Sequence, residues 1–482
     1  MHNRVMLIGL GPHARTYYVE IINLLKELHD IKLSVVVDLK CQEQSIKRFL
    51  TQHEIEPDHL EFIEDENRNN EHLAADITNR LDFLVHTHGI NRVIISTEPK
   101  AHKAYALWAA ERNLSVLMDK PLTAVNLDVN EPKTAHKLID DFVELQSAFA
   151  QSESDLYVMA LRRLHPALMY AREYLDKFIA EFNVPITHVS ITHTEGMWNM
   201  PNEFFERENH PYKFGYGLML HSGYHFIDLL LLFMRLNNRI AGKNPTDMDY
   251  SISFTTVSDV NKIIDNENYG LLLKKVFREI ESPEMAKQAE DFGEIDMHIL
   301  CNVNHDGNLI STGVIDLLQT SYSTRYRSTL PEDTYKDNGR TYHEFISVEV
   351  GHLLNIKLMC WTNGKTMDKE SAANADERYK VQIYRNSNLV GGKSYEEKVF
   401  EKIMDVELNE SVYSLGMGMT ARLRAVYNWL YQERKASLLD SHKYTIDWLA
   451  DIYKTMFEAR KVNNRIGSSR LSLEGFAEQS TM

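Results

Sequence analysis

The first third of the chain alternates short apolar runs with longer amphipathic stretches. Val5–Ile8 is apolar, and a helical pattern follows from about residue 13 to 28. Leu33–Val37 is β-branched and apolar, and a polar helical stretch follows from about 41 to 53. Residues 56–72 are acidic and irregular and read as a loop. Leu73–His86 has helical spacing, Arg92–Ile95 is a strand, Ala101–Arg112 a helix and Leu114–Met118 a strand. Short, fully apolar strands separated by helices predict a parallel sheet covered on both faces, and right-handed crossovers make it doubly wound.

Beyond about residue 155 the rhythm changes. Strands are expected at Leu156–Ala160 and Ile186–Thr194, with a helix at Pro166–Phe182 between them. Tyr216–Leu236 reads as a buried helix. Alternating runs at Tyr250–Val257, Ile295–Val303, Phe345–Val350, Ile356–Trp361 and Lys380–Tyr384 predict further strands, separated by polar segments at 237–248, 258–268 and 364–378. Helix returns over Ser411–Arg460, and 467–482 reads as a polar tail. The expected fold class is α/β: a Rossmann domain at 1–155 and an α+β domain at 156–482 with an open, mostly antiparallel sheet, insertions and C-terminal helices.

Composition narrows the function classes. The 482 residues carry 53 Lys and Arg against 69 Asp and Glu, a net charge of −16. Such an acidic chain is not expected to bind nucleic acid. The longest apolar run, Phe226–Met234, is too short to span a membrane. Three scattered cysteines, Cys41, Cys301 and Cys360, and the lack of a leader-like start point to a cytoplasmic location.

Gly9-Leu10-Gly11-Pro12-His13-Ala14 reads as G-x-G-x-x-A between a strand and a helix. Gly9 permits a tight turn, Gly11 lets a pyrophosphate approach the backbone, and Ala14 allows close helix–strand packing. Pro12 suits a first helical position. Asp38 ends the second strand, where a carboxylate accepts hydrogen bonds from ribose hydroxyls and repels a 2′-phosphate. That favours NAD over NADP, although Lys40 lies two residues on. A methyltransferase binding another adenosine cofactor shares this geometry.

Two further segments choose between these options. One is Ser96-Thr97-Glu98-Pro99-Lys100-Ala101-His102, followed by Asp119-Lys120-Pro121. The other runs from Gly215 through His221 and His225 to Asp228. In order and approximate spacing they resemble the glucose–fructose oxidoreductase / inositol dehydrogenase / MocA family, well over residues 1–235 and loosely beyond. The resemblance implies an NAD(P)-dependent oxidoreductase acting on a sugar, polyol or related small molecule, and a homodimer or homotetramer. It implies cofactor contacts from Thr97, Glu98, Pro99, His102, Asp119 and Lys120, together with His13 and the fingerprint. Lys120 matches a lysine near the nicotinamide, and His225 the acid/base histidine. An imidazole takes the hydroxyl proton near neutral pH while an ammonium stabilises the charge developing on oxygen.

The chain departs from the pattern at three points. Asp119 replaces Glu, Lys100 replaces Asn, and His221 stands where the motif has its first Asp. With His221 and His225 four residues apart on one helix face, His221 is expected to share the proton work or contact substrate. That spacing, with Asp228, also suits a metal; the family pattern implies none. The departure leaves open a lyase or glycosidase that recycles bound NAD, and a non-catalytic NAD-binding sensor. Arg163 and Trp198 are the remaining substrate-binding candidates, one arginine of the Arg162-Arg163 pair being expected to face the cleft.

Overall fold

The computed structural model describes residues 3–68, 70–206, 210–263, 287–325, 339–362, 378–401, 403–408, 411–431 and 436–476. Two sheets organise them. The first contains β1 (Asn3–Ile8), β2 (Ile31–Leu39), β3 (His59–Ile63), β4 (Arg92–Ile95), β5 (Ser115–Met118) and β6 (Leu156–Val158). All neighbours are parallel, in the order β3-β2-β1-β4-β5-β6. The strand order reverses between β1 and β4, so the loops after them open a crevice at the carboxyl ends, where such sheets bind ligands. Helices α1 (Pro12–Thr16) and α2 (Tyr18–His29) follow β1, and α5 (Pro99–Glu111) follows β4. Val5–Ile8 are at most 1% exposed because both faces of β1 are covered.

The second sheet has nine strands in the order β14-β13-β12-β11-β7-β10-β9-β8-β17. These are β7 (His188–Thr194), β8 (Asp247–Thr256), β9 (Glu294–His305), β10 (Asn308–Leu318), β11 (Tyr342–Val350), β12 (Leu354–Thr362), β13 (Arg378–Arg385), β14 (Tyr395–Phe400) and β17 (Ile466–Ser472). Only β7 and β10 pair in parallel; the other neighbours are antiparallel. α7 (Pro166–Phe182), α9 (Tyr224–Arg235) and the helix Lys443–Lys461 join its inner face in one core. The outer face carries exposed Leu300, Phe345 and Tyr384. The α/β architecture thus stands as expected, a parallel sheet followed by a mostly antiparallel one.

Several local readings change. The acidic stretch at 56–72 contains β3, an edge strand whose half-buried residues hide its alternation. β10 was absent from the sequence reading. The expected helix from 411 to 460 begins instead as β16 (Ser411–Leu415), paired with β15 (Met404–Leu408), and then divides into helices Met417–Tyr431 and Lys443–Lys461. The polar tail supplies β17, which caps β8 at the sheet edge and buries Leu471, Leu473 and Phe476. Its Ser468-Ser469-Arg470 stretch looks unstructured in sequence because an edge strand is held mainly by its backbone. Residues 264–268, 364–377 and 477–482 of the expected polar segments lie outside the described residues.

The boundary expected at residue 155 is crossed twice. β6 belongs to the first sheet. The helix Met417–Tyr431 returns to it, packing Ala421, Leu423, Val426 and Trp429 into one cluster with Val5, Leu7, Val36 and Leu117. Trp429 Nε1 donates to Ser115 Oγ at 2.9 Å. Among the described residues no helix is long and apolar enough to cross a membrane.

Candidate active site

The turn after β1 is built around two glycines used differently. Gly9 adopts φ +92°, and a Cβ there would lie 2.5 Å from the Ser96 carbonyl oxygen. Gly11 caps α1, and a Cβ built on it meets nothing within 4 Å. Gly9 is therefore required by the fold, whereas Gly11 leaves open space over the backbone, which suits an approaching pyrophosphate. Pro12 occupies the first turn of α1 and Ala14 is fully buried. Asp38 closes the turn from the neighbouring strand: Leu10 N donates to Oδ2 and Leu39 N to Oδ1, both at 2.7 Å. Burial raises the Asp38 carboxyl pKa against these bonds. Lys40 is held by Glu43 at 2.7 Å.

The loops after β4 and β5 supply the next layer. Thr97 and Glu98 lead into α5, with Glu98 as its N-cap and Pro99 in its first turn. Asp119 accepts from Tyr18 Oη at 2.5 Å and Ser96 Oγ at 2.6 Å, and His13 Nε2 lies 3.7 Å away. His102, expected at the cofactor, is fully buried with its nitrogens 3.0 Å from the carbonyls of Thr97 and Pro121. Burial lowers its proton affinity. It ties the loops after β4 and β5 together.

Lys120 and His225 come together at the centre. The Lys120 ammonium donates to the main-chain carbonyl of His221. Burial pushes its pKa down to about 8, against the attraction of Glu195 and Asp119. His225 is half-buried. Burial, then the charges of Lys120, Arg162 and Arg422, hold its proton affinity well below the usual imidazole range. Both effects favour the neutral imidazole.

Met219–Gly223 forms a π-helical turn ahead of α9, a distortion frequent at functional sites. The His221 ring turns toward Pro211, its Nε2 3.2 Å from that carbonyl. Rings of His210, Tyr212 and Tyr216 surround it at centroid distances of 4.7, 5.7 and 5.6 Å. What His221 offers Lys120 is a carbonyl. The turn is anchored beneath by Glu294, which accepts from Met219 N at 2.7 Å and Tyr453 Oη at 3.1 Å. Burial pushes the Glu294 carboxyl up to about 7.

A buried polar cluster escaped the sequence reading. Arg162 makes a two-pronged pair with Glu344, at 2.7 and 2.6 Å, and donates to Tyr342 Oη at 2.7 Å. His193 lies 3.6 Å from Glu344 and 3.5 Å from Glu195. Glu195 also accepts from Ser222 Oγ at 3.0 Å and from Arg340. Burial alone would raise the Glu195 carboxyl, but Arg340, His193 and Ser222 carry it well below the usual range. Its signal was present: His193 shares the inward face of β7 with Val189 and Ile191, and its register partner Glu344 shares that of β11 with Ile346 and Val348. Alternation assigns both positions to the core, so charge-bearing side chains there call for partners.

Two candidates remain, Arg163 and Trp198. Arg163 does not face the cleft. Its side chain is 1% exposed, bonded to both Asp228 oxygens at 2.9 and 2.6 Å, to Ala436 O at 3.1 Å and to Ser441 Oγ at 2.6 Å. Its donors are spent on the core, whereas Arg162 is among the charges acting on Lys120 and His225. Trp198 lies on the segment after β7, its carbonyl accepting from Arg325, which also pairs with both oxygens of Glu203 at 2.6 Å.

No family model and no curated protein sequence matches the chain. Solved structures do. Levoglucosan dehydrogenase, in complex with NADH and levoglucosan, superposes with a TM-score of 0.57 at 11% identity, covering 98% of this chain and 99% of that one. An aldose–aldose oxidoreductase from Caulobacter crescentus, complexed with glycerol, gives 0.55 at 12%, covering 98% and 100%. An oxidoreductase from Agrobacterium radiobacter, with NAD+, L-tartaric acid and magnesium, gives 0.54 at 12%, covering 99% and 100%. The chain shares their fold. At such identities the likeness is one of fold, and function rests on the site.

Proposed function

We propose that this protein is an NAD(P)-dependent oxidoreductase of the glucose–fructose oxidoreductase / inositol dehydrogenase / MocA type, acting on a hydroxyl or carbonyl carbon of a sugar, polyol or related small molecule. The observation that carries this reading is the convergence of three features at one crevice: the open backbone at Gly11, a buried ammonium at Lys120 and a neutral imidazole at His225. A crevice with a phosphate-tolerant turn and two groups of perturbed proton affinity is a strong functional-site candidate. Bound NADH, NAD+, glycerol and levoglucosan in the structural relatives agree with it.

Gly9, Gly11, Pro12, His13 and Ala14 would hold the cofactor's phosphates and Asp38 its adenosine ribose, a carboxylate favouring NAD over NADP. Thr97, Glu98, Pro99, Asp119 and Lys120 would line its nicotinamide side. A bound nicotinamide exchanges a hydride with the reacting carbon. His225 takes the hydroxyl proton in oxidation and returns it in reduction. Lys120 stabilises the partial negative charge on the same oxygen. The His221 carbonyl fixes the ammonium, and Trp198 is the candidate stacking surface for a sugar face.

The test is to purify the protein, measure NAD(H) and NADP(H) binding, and follow nicotinamide conversion over a panel of sugars, polyols and hydroxy acids. Conversion that depends on Lys120 and His225 is expected. A protein that binds neither dinucleotide would refute the reading.

A further inference from the structure

Lys120 is enclosed by charge from several elements. Asp119 precedes it on its own loop. Glu195 and His193 come from the end of β7, Arg340 from the approach to β11, Arg162 from the segment after β6, and His225 from α9. Two of these are joined directly: Arg340 donates to Glu195. Glu195 is 4% exposed, and Ser222 of the π-helical turn also donates to it. Ser222 is the residue after His221, whose carbonyl takes the Lys120 ammonium. The carboxylate is thus fixed to the very turn that fixes the ammonium. Of this joined pair, Glu195 attracts the Lys120 proton and Arg340 repels it.

We infer that the Glu195–Arg340 pair controls the charge of Lys120, Glu195 acting as a positioning residue that keeps the ammonium protonated inside a buried site. The inference rests on the proposed role of Lys120 in turnover. The two partners act in opposite directions from one place. Removing Glu195 takes away its attraction and its shielding of the Arg340 charge, so Lys120 sheds its proton at lower pH. Removing Arg340 alone has the opposite effect. Removing both cancels most of the change, because an ion pair seen from a third charge is nearly neutral. A carboxylate that only supported the fold would not produce this pattern of sign reversal and compensation.

The experiment is competitive labelling of Lys120 with acetic anhydride across a pH series, read by mass spectrometry on the full-length chain without cofactor or substrate. Glu195→Gln is expected to lower the Lys120 titration midpoint by about one pH unit. Arg340→Gln is expected to raise it by a similar amount, and the double variant to return to within about 0.3 units of the parent. Turnover, where measured, should lose its alkaline limb at correspondingly lower pH in Glu195→Gln. Should Glu195→Gln fail to fold, the upward shift in Arg340→Gln decides the matter alone. An unmoved midpoint in the single variants, or equal shifts of one sign in both, would overturn the inference. A midpoint that moves as expected while the turnover profile stays fixed would keep the inference and refute the role of Lys120.

Discussion

Arg162 and Arg163 are sequence neighbours that feed two buried charge networks of opposite character. Arg163 enters a closed one. Its guanidinium is shared among Asp228, Ala436 O and Ser441, and Asp228 also accepts from Thr445 at 2.9 Å. His442 beside it lies 2.8 Å from Tyr224 Oη and 2.9 Å from Ser437 Oγ. Arg162 enters an open one. There both ring nitrogens of His165 and Nε of Arg162 are buried without a hydrogen-bond partner, and His193 is held only by long contacts, 3.5 Å to Glu195 and 3.6 Å to Glu344. Burial pushes His165 down to about 3, with Arg162 adding to the effect. The closed network is saturated and cannot take up a ligand or a proton without breaking a bond. The open one holds polar groups in states that a substrate or proton can complete. Saturation, more than burial or charge, separates the scaffold from the working site.

That contrast breaks most visibly at the closed network. Arg163→Met leaves Asp228 buried without its cation, whereas the native pairing brings that carboxyl down to about 2 despite its burial. A loss of roughly 3–5 kcal/mol in urea unfolding is expected, with turnover per folded molecule largely kept. Lys120→Ala should do the reverse. Turnover should fall by about 10²–10³-fold while the melting temperature moves little, as for removal of one preorganised donor. Equal damage to stability and turnover in either variant would erase the distinction.

Glu294 sharpens the comparison through pH. Its folded pKa of about 7 lies above the ordinary 4.5. The folded state therefore holds the proton more tightly than the unfolded chain. Stability is fully present below about pH 4.5 and is lost as pH rises toward about 7, by roughly 3 kcal/mol. Glu294→Gln should flatten this dependence in urea titrations across that window. In the unmodified chain, the turnover proposed above should decline above about pH 8 as Lys120 loses its proton. The acid limb should fall below the usual histidine range, because His225 stays neutral there. The smallest effect is expected at Asp38→Ala, about a tenfold loss of NAD affinity, read by fluorescence titration.

Much of the first sheet was legible in the sequence. Val5–Ile8, Gly9 to Ala14, Asp38 and Lys120-Pro121 form a local syntax of strand, turn and helix, and the site lies at loops adjoining those strands. The edge strand β3 was hidden because one half-buried edge has little apolar contrast. The pairing within the polar cluster was illegible for a different reason. His193 and Glu344 lie in β7 and β11, with Glu195 just after β7 and Arg340 just before β11, about 150 residues apart, and their meeting depends on the register of β7 against β11.

The two histidines divide what chain and fold each decide. The sequence determined that a helix would carry His221 and His225 into the cleft, because the Gly-rich segment and the apolar run after it are local signals. It could not tell which atom of each would be used. An α-helical spacing places both rings on one face, but the π-helical turn at Met219–Gly223 changes the local register. Glu294 and Tyr453, from a distant strand and helix, hold that turn. The doubly wound half and the strand–turn–helix at Gly9 to Ala14 were readable in the chain alone, since each follows from neighbouring residues. Only the tertiary structure decided that His221 contributes a carbonyl, that Arg162 and not Arg163 reaches the site, and that residues 466–472 close a sheet, because each depends on partners no local pattern names.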